Sequence, residues 1–259
     1  MSIFLKSQQN SNHFKALRGK GFSLIELMFS LFAISLLVTL VMQQYLVSKR
    51  QYLKMQNLLE QNLELHLVTG MIRNAIHSAG FTPCQGLSAL ESMDRRNCKL
   101  KLAPLKILKG NLKGFKLSKM DESFTKLEQQ LGPRELLIKS KIHYDTKQTI
   151  LIADCYHAET QEIISTKTTS RGQVLTIKAP LAFNYLAPVY LGKWVEETFL
   201  IKKNKQNKFS LFYESQQAEE LSSLVDDMFI NIPGKGQIEV GLIMAKQKNI
   251  LIKTKIRAG

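Results

Sequence analysis

From Leu27 to Ser48 the chain runs through 22 consecutive uncharged residues, LMFSLFAISLLVTLVMQQYLVS, and the first 16 are almost wholly apolar. At 1.5 Å per residue, about 20 such residues cross a hydrocarbon core of roughly 30 Å, so the pattern predicts one membrane-spanning helix over about 24–48. Beyond the span, apolar positions recur at threes and fours through Tyr52, Met55, Leu59, Leu63, Leu67, Met71, Ile72, Ala75, Ile76 and Ala79. Lys54, Glu60, Glu64 and Arg73 fall on other faces. One continuous helix from about Ser23 to Ala79 follows, roughly 85 Å long. It has no proline, holds only Gly70 as a weak point, and stops at Gly80, with Pro83 shortly after. Its outer half must bury a stripe against the remaining 180 residues.

Those residues alternate differently. RELLIKSKI (134–142), TILIA (149–153), QVLTIK (173–178), VEETFLIKK (195–203), KFSLFYES (208–215), QIEVGLIMA (237–245) and NILIKTKI (249–256) are short, partly alternating and separated by Gly, Asn or Pro. Hairpin spacing with no interleaved helices argues against a doubly wound fold and for a mainly antiparallel sheet. The expected class is α+β: a helix of residues 22–79 laid on a β-rich globular head of residues 80–259.

Charge orients the span. Lys6, Lys15, Arg18 and Lys20 precede it and no acidic residue occurs before Glu26, so the N-terminus is expected in the cytoplasm and the head outside. A secretory signal peptide is the plainer reading of a basic start before an apolar run. However, no A-x-A-like site follows the run, which passes into QQYLVSKRQYLKMQ without a breaker. Glu26 also sits within FSLIELM, at a depth where an ionisable group costs a few kcal/mol unless partnered.

Arg18-Gly19-Lys20-Gly21-Phe22-Ser23-Leu24-Ile25-Glu26-Leu27-Met28 resembles the prepilin cleavage motif of type IV pilins and type II secretion pseudopilins. The resemblance implies a pilin-like fold and a leader of residues 1–21, removed by a prepilin peptidase between Gly21 and Phe22. Phe22 then becomes the N-methylated first residue. A new amine at Phe22 in a low-dielectric setting would be attracted strongly to a carboxylate. The resemblance assigns that role to Glu26, paired with the amine of a neighbouring subunit so that the buried charge specifies register. A plain signal-anchor helix with a fortuitous glutamate is the alternative. Further words, Ala79-Gly80-Phe81-x-x-Cys84, Asp154-Cys155, Ser210-Leu211-Phe212-Tyr213 and Glu220-Leu221 through Val225-x-x-Met228, resemble the segment order of PilW-type minor pilins, in which a helix follows Leu221; a strand is the alternative for that stretch here. J-type pseudopilins of type II secretion share the size and the start motif.

By that resemblance the chain is a minor pilin, a structural and assembly-initiating subunit. Its implied partners are other pilins through the N-terminal helix, the prepilin peptidase and the inner-membrane assembly machinery. It would sit as a single-pass inner-membrane protein before assembly and in the extracellular fibre afterwards. A tip module for DNA uptake or adhesion is the other functional class.

Composition adds limits. The 259 residues are 44% hydrophobic with only 14 Gly and 6 Pro, which excludes collagenous and largely disordered classes. Three cysteines, Cys84, Cys98 and Cys155, permit one bridge: Cys84–Cys98 closes a short loop at about 3 kcal/mol, and Cys84–Cys155 competes. No G-x-S-x-G, P-loop or H-E-x-x-H occurs, and no enzymatic activity, cofactor or metal is expected. Cys155-x-His157 is the nearest thing to a ligand or nucleophile pair.

The net charge of +15, from 36 Lys and Arg against 21 Asp and Glu, is clustered. Arg95, Arg96, Lys99, Lys101, Lys106, Lys109, Lys113, Lys116 and Lys119 occur with no acid among them, and Lys202, Lys203, Lys205 and Lys208 crowd an expected hairpin turn. Such a segment can bind a polyanion, DNA or an anionic surface, by neutralising phosphates. The plainer reading is that lysines solubilise an exposed loop and blunt sheet edges. Only Phe115 is at hand for base stacking in the first cluster.

Overall fold

A computed structural model describes residues 23–96, 100–108, 113–234, 236–244 and 249–256. The leader with Gly21 and Phe22, and Cys98, Lys99 and Lys109, lie outside the described residues. The chain divides into two compact units, one through Leu59 and one from Glu60 onward.

Helix α1 spans Leu24–Ser78. Its first half is apolar and exposed, from Leu24 at 79% to Leu53 at 50%, and it is long and apolar enough to cross a membrane. In the second unit the helix buries Leu65, Val68, Ile72, Ala75 and Ile76, a stripe at spacings of three and four. The expected stripe is thereby corrected. Leu63, Leu67 and Met71 lie outside it, and the buried face is rotated from theirs. Termination follows the sequence: Gly80 takes φ 71°, which a residue with a Cβ adopts at a cost, and its N–H bonds to the carbonyl of Ser118.

Among the described residues thirteen strands follow. They are β1 (Glu91–Asp94), β2 (Leu105–Leu108), β3 (Lys113–Gly132), β4 (Glu135–Ile138), β5 (Thr149–Ala153), β6 (His157–Thr169) and β7 (Gly172–Ile177). The rest are β8 (Tyr190–Lys203), β9 (Phe209–Glu214), β10 (Ala218–Ser222), β11 (Asp227–Gly234), β12 (Gln237–Ile243) and β13 (Ile250–Lys255). All pairings are antiparallel except β1 with β6. The α+β class expected from the pattern holds. The helix that the resemblance implies after Leu221 is absent, since this stretch forms β10 and β11 joined by a short turn.

Two long strands organise the head. The first part of β3 pairs with β8, from Lys113↔Ile201 to Lys126↔Tyr190, and its last part pairs with β4. In the same way β6 pairs first with β5 and then with β7. With β4–β7 and β5–β8 pairing as well, six strands close a ring in the order β3, β4, β7, β6, β5, β8. The register of β3 on β8 shifts between Met120 and Phe124, opposite Gly192, where any Cβ would collide with Met120. Glycine lets the two backbones approach closely at this bulge.

Three apolar clusters result. The helix stripe packs with Phe115 and Leu117 of β3, Phe199 and Ile201 of β8, and Ile238, Val240 and Ile252 of the three-stranded β11–β12–β13 sheet. A second cluster fills the ring, among it Leu136, Ile150, Ile163, Leu175 and Leu191. Buried Tyr144 lies within it and donates its hydroxyl to the Leu191 carbonyl at 3.0 Å. A third gathers Leu87, Leu90, Leu102, Met120 and Leu151 under the loops that precede β3.

Candidate functional sites on the helix and the head

Glu26 stands in the first turn of α1, and its N–H bonds to the Ser23 carbonyl at 3.0 Å. Ser23-Leu24-Ile25-Glu26 has the spacing of a capping box, and a carboxylate at a helix N-terminus is favoured by the helix dipole. A glutamate here thus has a local structural use in addition to any intersubunit role. Further along, Leu59, Leu63, Leu67 and Met71 form a ladder at i, i+4 spacing on a helix face that stays exposed, by 60%, 54%, 68% and 41%.

Cys84 is bonded to Cys155, with Cα atoms 5.2 Å apart, so the shorter Cys84–Cys98 bridge is not the one formed. The pair ties the segment after the helix to the β5–β6 turn. It also removes Cys155-x-His157 from consideration as a thiolate pair, because the Cys155 sulfur is already bonded. Among the described residues no group of three His, Cys, Asp or Glu side chains has the arrangement to hold a metal ion.

Next to the bridge lies a buried polar node that the sequence barely announces. Asp154, fully buried, accepts N–H bonds from Tyr156, His157 and Leu186, the last at 2.8 Å. Burial alone would raise its carboxyl, but these three backbone donors and the His157 ring bring it below its ordinary value. Glu159, also fully buried, accepts the Ala182 N–H at 2.9 Å and a bond from Gln161. Here burial wins and its carboxyl is raised, the Ala182 bond, the Gln161 bond and the Arg95 charge only partly opposing it. Arg95 in turn donates to the Pro180 carbonyl at 3.0 Å. Three side chains therefore hold one segment, residues 180–186, by its backbone. Asp154-Cys155, His157 and Arg95 stood out in the sequence, each for another reason; Glu159 and Tyr185 carried no signal.

Most of the described part of the basic segment is in strands rather than in a solvated loop. Lys106 lies on β2, and Lys113, Lys116 and Lys119 lie on β3, a strand at the centre of the fold. Arg96 pairs with Asp94 and Glu196 at 2.9 Å each and lies over the Trp194 ring. Lys116 reaches Glu196 at 2.7 Å, Lys119 reaches Glu197 at 3.3 Å and the Ser78 hydroxyl at 2.9 Å, and Lys113 pairs with Asp227. Burial would raise Glu196, but hydrogen bonds from Arg96, Lys116 and Trp194 hold it down at about 2. The cations that look unopposed along the sequence are thus matched across strands by carboxylates. Arg95 is spent on the Pro180 carbonyl, and Lys101 and Lys106 remain exposed with no ion pair among the described residues. The second group does occupy a hairpin, where Lys202 pairs with Glu214 at 2.9 Å and lies 4.4 Å over Phe212.

Comparison with protein-family models, with curated proteins and with solved structures returns no match.

Proposed function

We propose that the chain is a minor-pilin subunit of a type IV pilus, anchored in the inner membrane by the first half of α1, cleaved between Gly21 and Phe22, and added to the fibre through that helix to help start assembly. The observation that supports this reading most is the exposed ladder Leu59, Leu63, Leu67, Met71. A membrane needs only about 20 apolar residues, and those are supplied before Ser48. The ladder continues some 20 residues past that point on a face the head does not cover. Lipid cannot reach so far, so the apolar face calls for another protein, and a helix of the same kind fits a stripe at i, i+4 spacing. Glu26, at the other end of the same helix, supplies the charge that would set the register of that packing.

The test is the mass of the N-terminal peptide from cells with an active prepilin peptidase. N-methylated Phe22 is expected. An intact leader, or a cut beyond residue 45, would overturn the proposal.

A further inference from the structure

Where β8 begins, at Tyr190, the last part of β3 extends beyond it, and the segment from Leu181 to Val189 lies across the gap. Between them is a cleft of about 420 Å³ at the mouth of the six-stranded ring. A barrel mouth is a common place for a small-molecule site, and the volume falls in the range such sites occupy.

The chemistry of its walls is selective. β3 contributes the amides Gln129 and Gln130, and the opposite segment contributes Phe183, Asn184 and Tyr185. Lys126 and Glu128, one charge of each sign, flank it, and no arginine lines it. That is poor provision for a phosphate or a carboxylate, which call for a guanidinium or several cations. Amides that both donate and accept, set beside aromatic rings, suit a ligand with many hydroxyls and flat C–H faces.

The aromatic wall is also held in place. Asp154 and Glu159, both fully buried, and Arg95 fix the backbone of the segment at Leu186, Ala182 and Pro180. The Phe183 ring stacks on His157 with centroids 4.9 Å apart, and Tyr185 stands edge-on to both rings. Two buried carboxylates are a costly way to fix a loop that serves only as a connection. A binding wall gains affinity from being fixed beforehand. Tyr185 lines the cleft while packing on the apolar cluster that fills the ring, and its hydroxyl oxygen is buried on the side of Asp154 and Glu159, so the ring is anchored from behind.

We infer that this cleft binds a neutral carbohydrate, with Phe183 and Tyr185 as the stacking wall and Gln129, Gln130 and Asn184 as the hydroxyl-reading groups. The inference rests on the head alone and is independent of the proposed role in a pilus.

The test is calorimetric titration of the full chain in detergent with chitotetraose, cellotetraose and maltotetraose, and with polygalacturonate and a neutral hexapeptide for comparison. Saturable binding of at least one neutral tetrasaccharide is expected. Phe183→Ala should weaken it about tenfold and Gln129→Ala about fivefold, whereas Phe209→Ala on the β8–β9 hairpin should not change it. Gln129 is exposed, so its variant is read without a folding defect. Failure of all three neutral sugars to bind at about 10 mM would overturn the inference. So would binding that survives both Phe183→Ala and Gln129→Ala, or a preference for the polygalacturonate or the peptide.

Discussion

The two halves of α1 share a secondary structure and differ in everything that surrounds it. Before Leu59, large apolar side chains are exposed on every side of the helix. After Glu60 the same helix carries polar residues on part of its circumference and buries Leu65, Val68, Ile72 and Ala75 in the largest apolar cluster of the head. An apolar surface all round needs a surrounding apolar phase or several partners; one stripe needs one sheet. The second half carries a mark of both conditions, because beside its buried stripe runs the exposed ladder of Leu63, Leu67 and Met71. Under the proposed function, these two apolar faces would separate the contact that folds the subunit from the contact that joins it to others.

That separation can be broken at neighbouring positions. Ile72 is fully buried and Leu67 is 68% exposed. Ile72→Asp places an unpaired carboxylate in the core and should cost about 4 kcal/mol or more, enough to lose the cooperative thermal transition of the head. Leu67→Asp should leave that transition within about 0.5 kcal/mol of the parent. Circular dichroism melts of the full chain in detergent distinguish them, and equal losses at both positions would mean the ladder is also structural.

The next effect belongs to the disulfide, which exists only in the head. Cys84 and Cys155 are 71 residues apart, and a loop of that length gives about 4 kcal/mol by chain entropy. Cys84→Ser and Cys155→Ser should therefore lower the head's melting temperature alike, and the double variant should lower it no further. Cys98→Ser should do nothing to it. A loss with Cys98→Ser equal to that of Cys84→Ser would contradict the pairing.

A smaller effect, dependent on pH, probes the ion pairs that place the basic segment in the sheet. With Glu196 held at about 2 in the folded chain, against an ordinary value of 4.5, its contribution is complete above about pH 4.5 and is lost as pH falls towards 2. Allowing for partial exposure, Glu196→Gln should cost about 1–2 kcal/mol at pH 7, and the gap between parent and variant should close between pH 4.5 and 2. Glu159, raised by burial, acts with the opposite sign: its contribution is present at low pH and fades as pH rises. A parent-to-variant gap at Glu196 that stays constant from pH 7 to pH 3 would mean the ion pairs do not hold the carboxylate.

How far the sequence carried each feature follows from the range of the interaction behind it. The helix bounds were legible to within a residue, because periodicity, the absence of proline and Gly80 are local signals. Which of its apolar faces is buried was not, since Leu63 and Leu67 differ from Leu65 and Val68 only in what lies opposite them. Lys113 to Lys119 suggested a solvated loop because their charges obscured the alternation of Phe115 and Leu117, and because Glu196 and Glu197 lie some 80 residues further on. β6 was missed for a related reason: HAETQEIISTKTT is polar, yet Glu159 and Gln161 are buried in it. Closure of the ring through β3 and β6 is a matter of non-local pairing, and so is the juxtaposition of Gln129 with Phe183 and Tyr185. No local pattern announces either.

The separation of the helix's two faces is tested most directly by the amount of the protein in sheared fibres and in the membrane fraction, measured for the parent and for Leu67→Asp in one strain. With the head's melting temperature unchanged, Leu67→Asp should remain in the membrane at parental abundance and fall at least tenfold in the fibres. Parental abundance in the fibres would contradict the assignment of the exposed ladder to subunit contact.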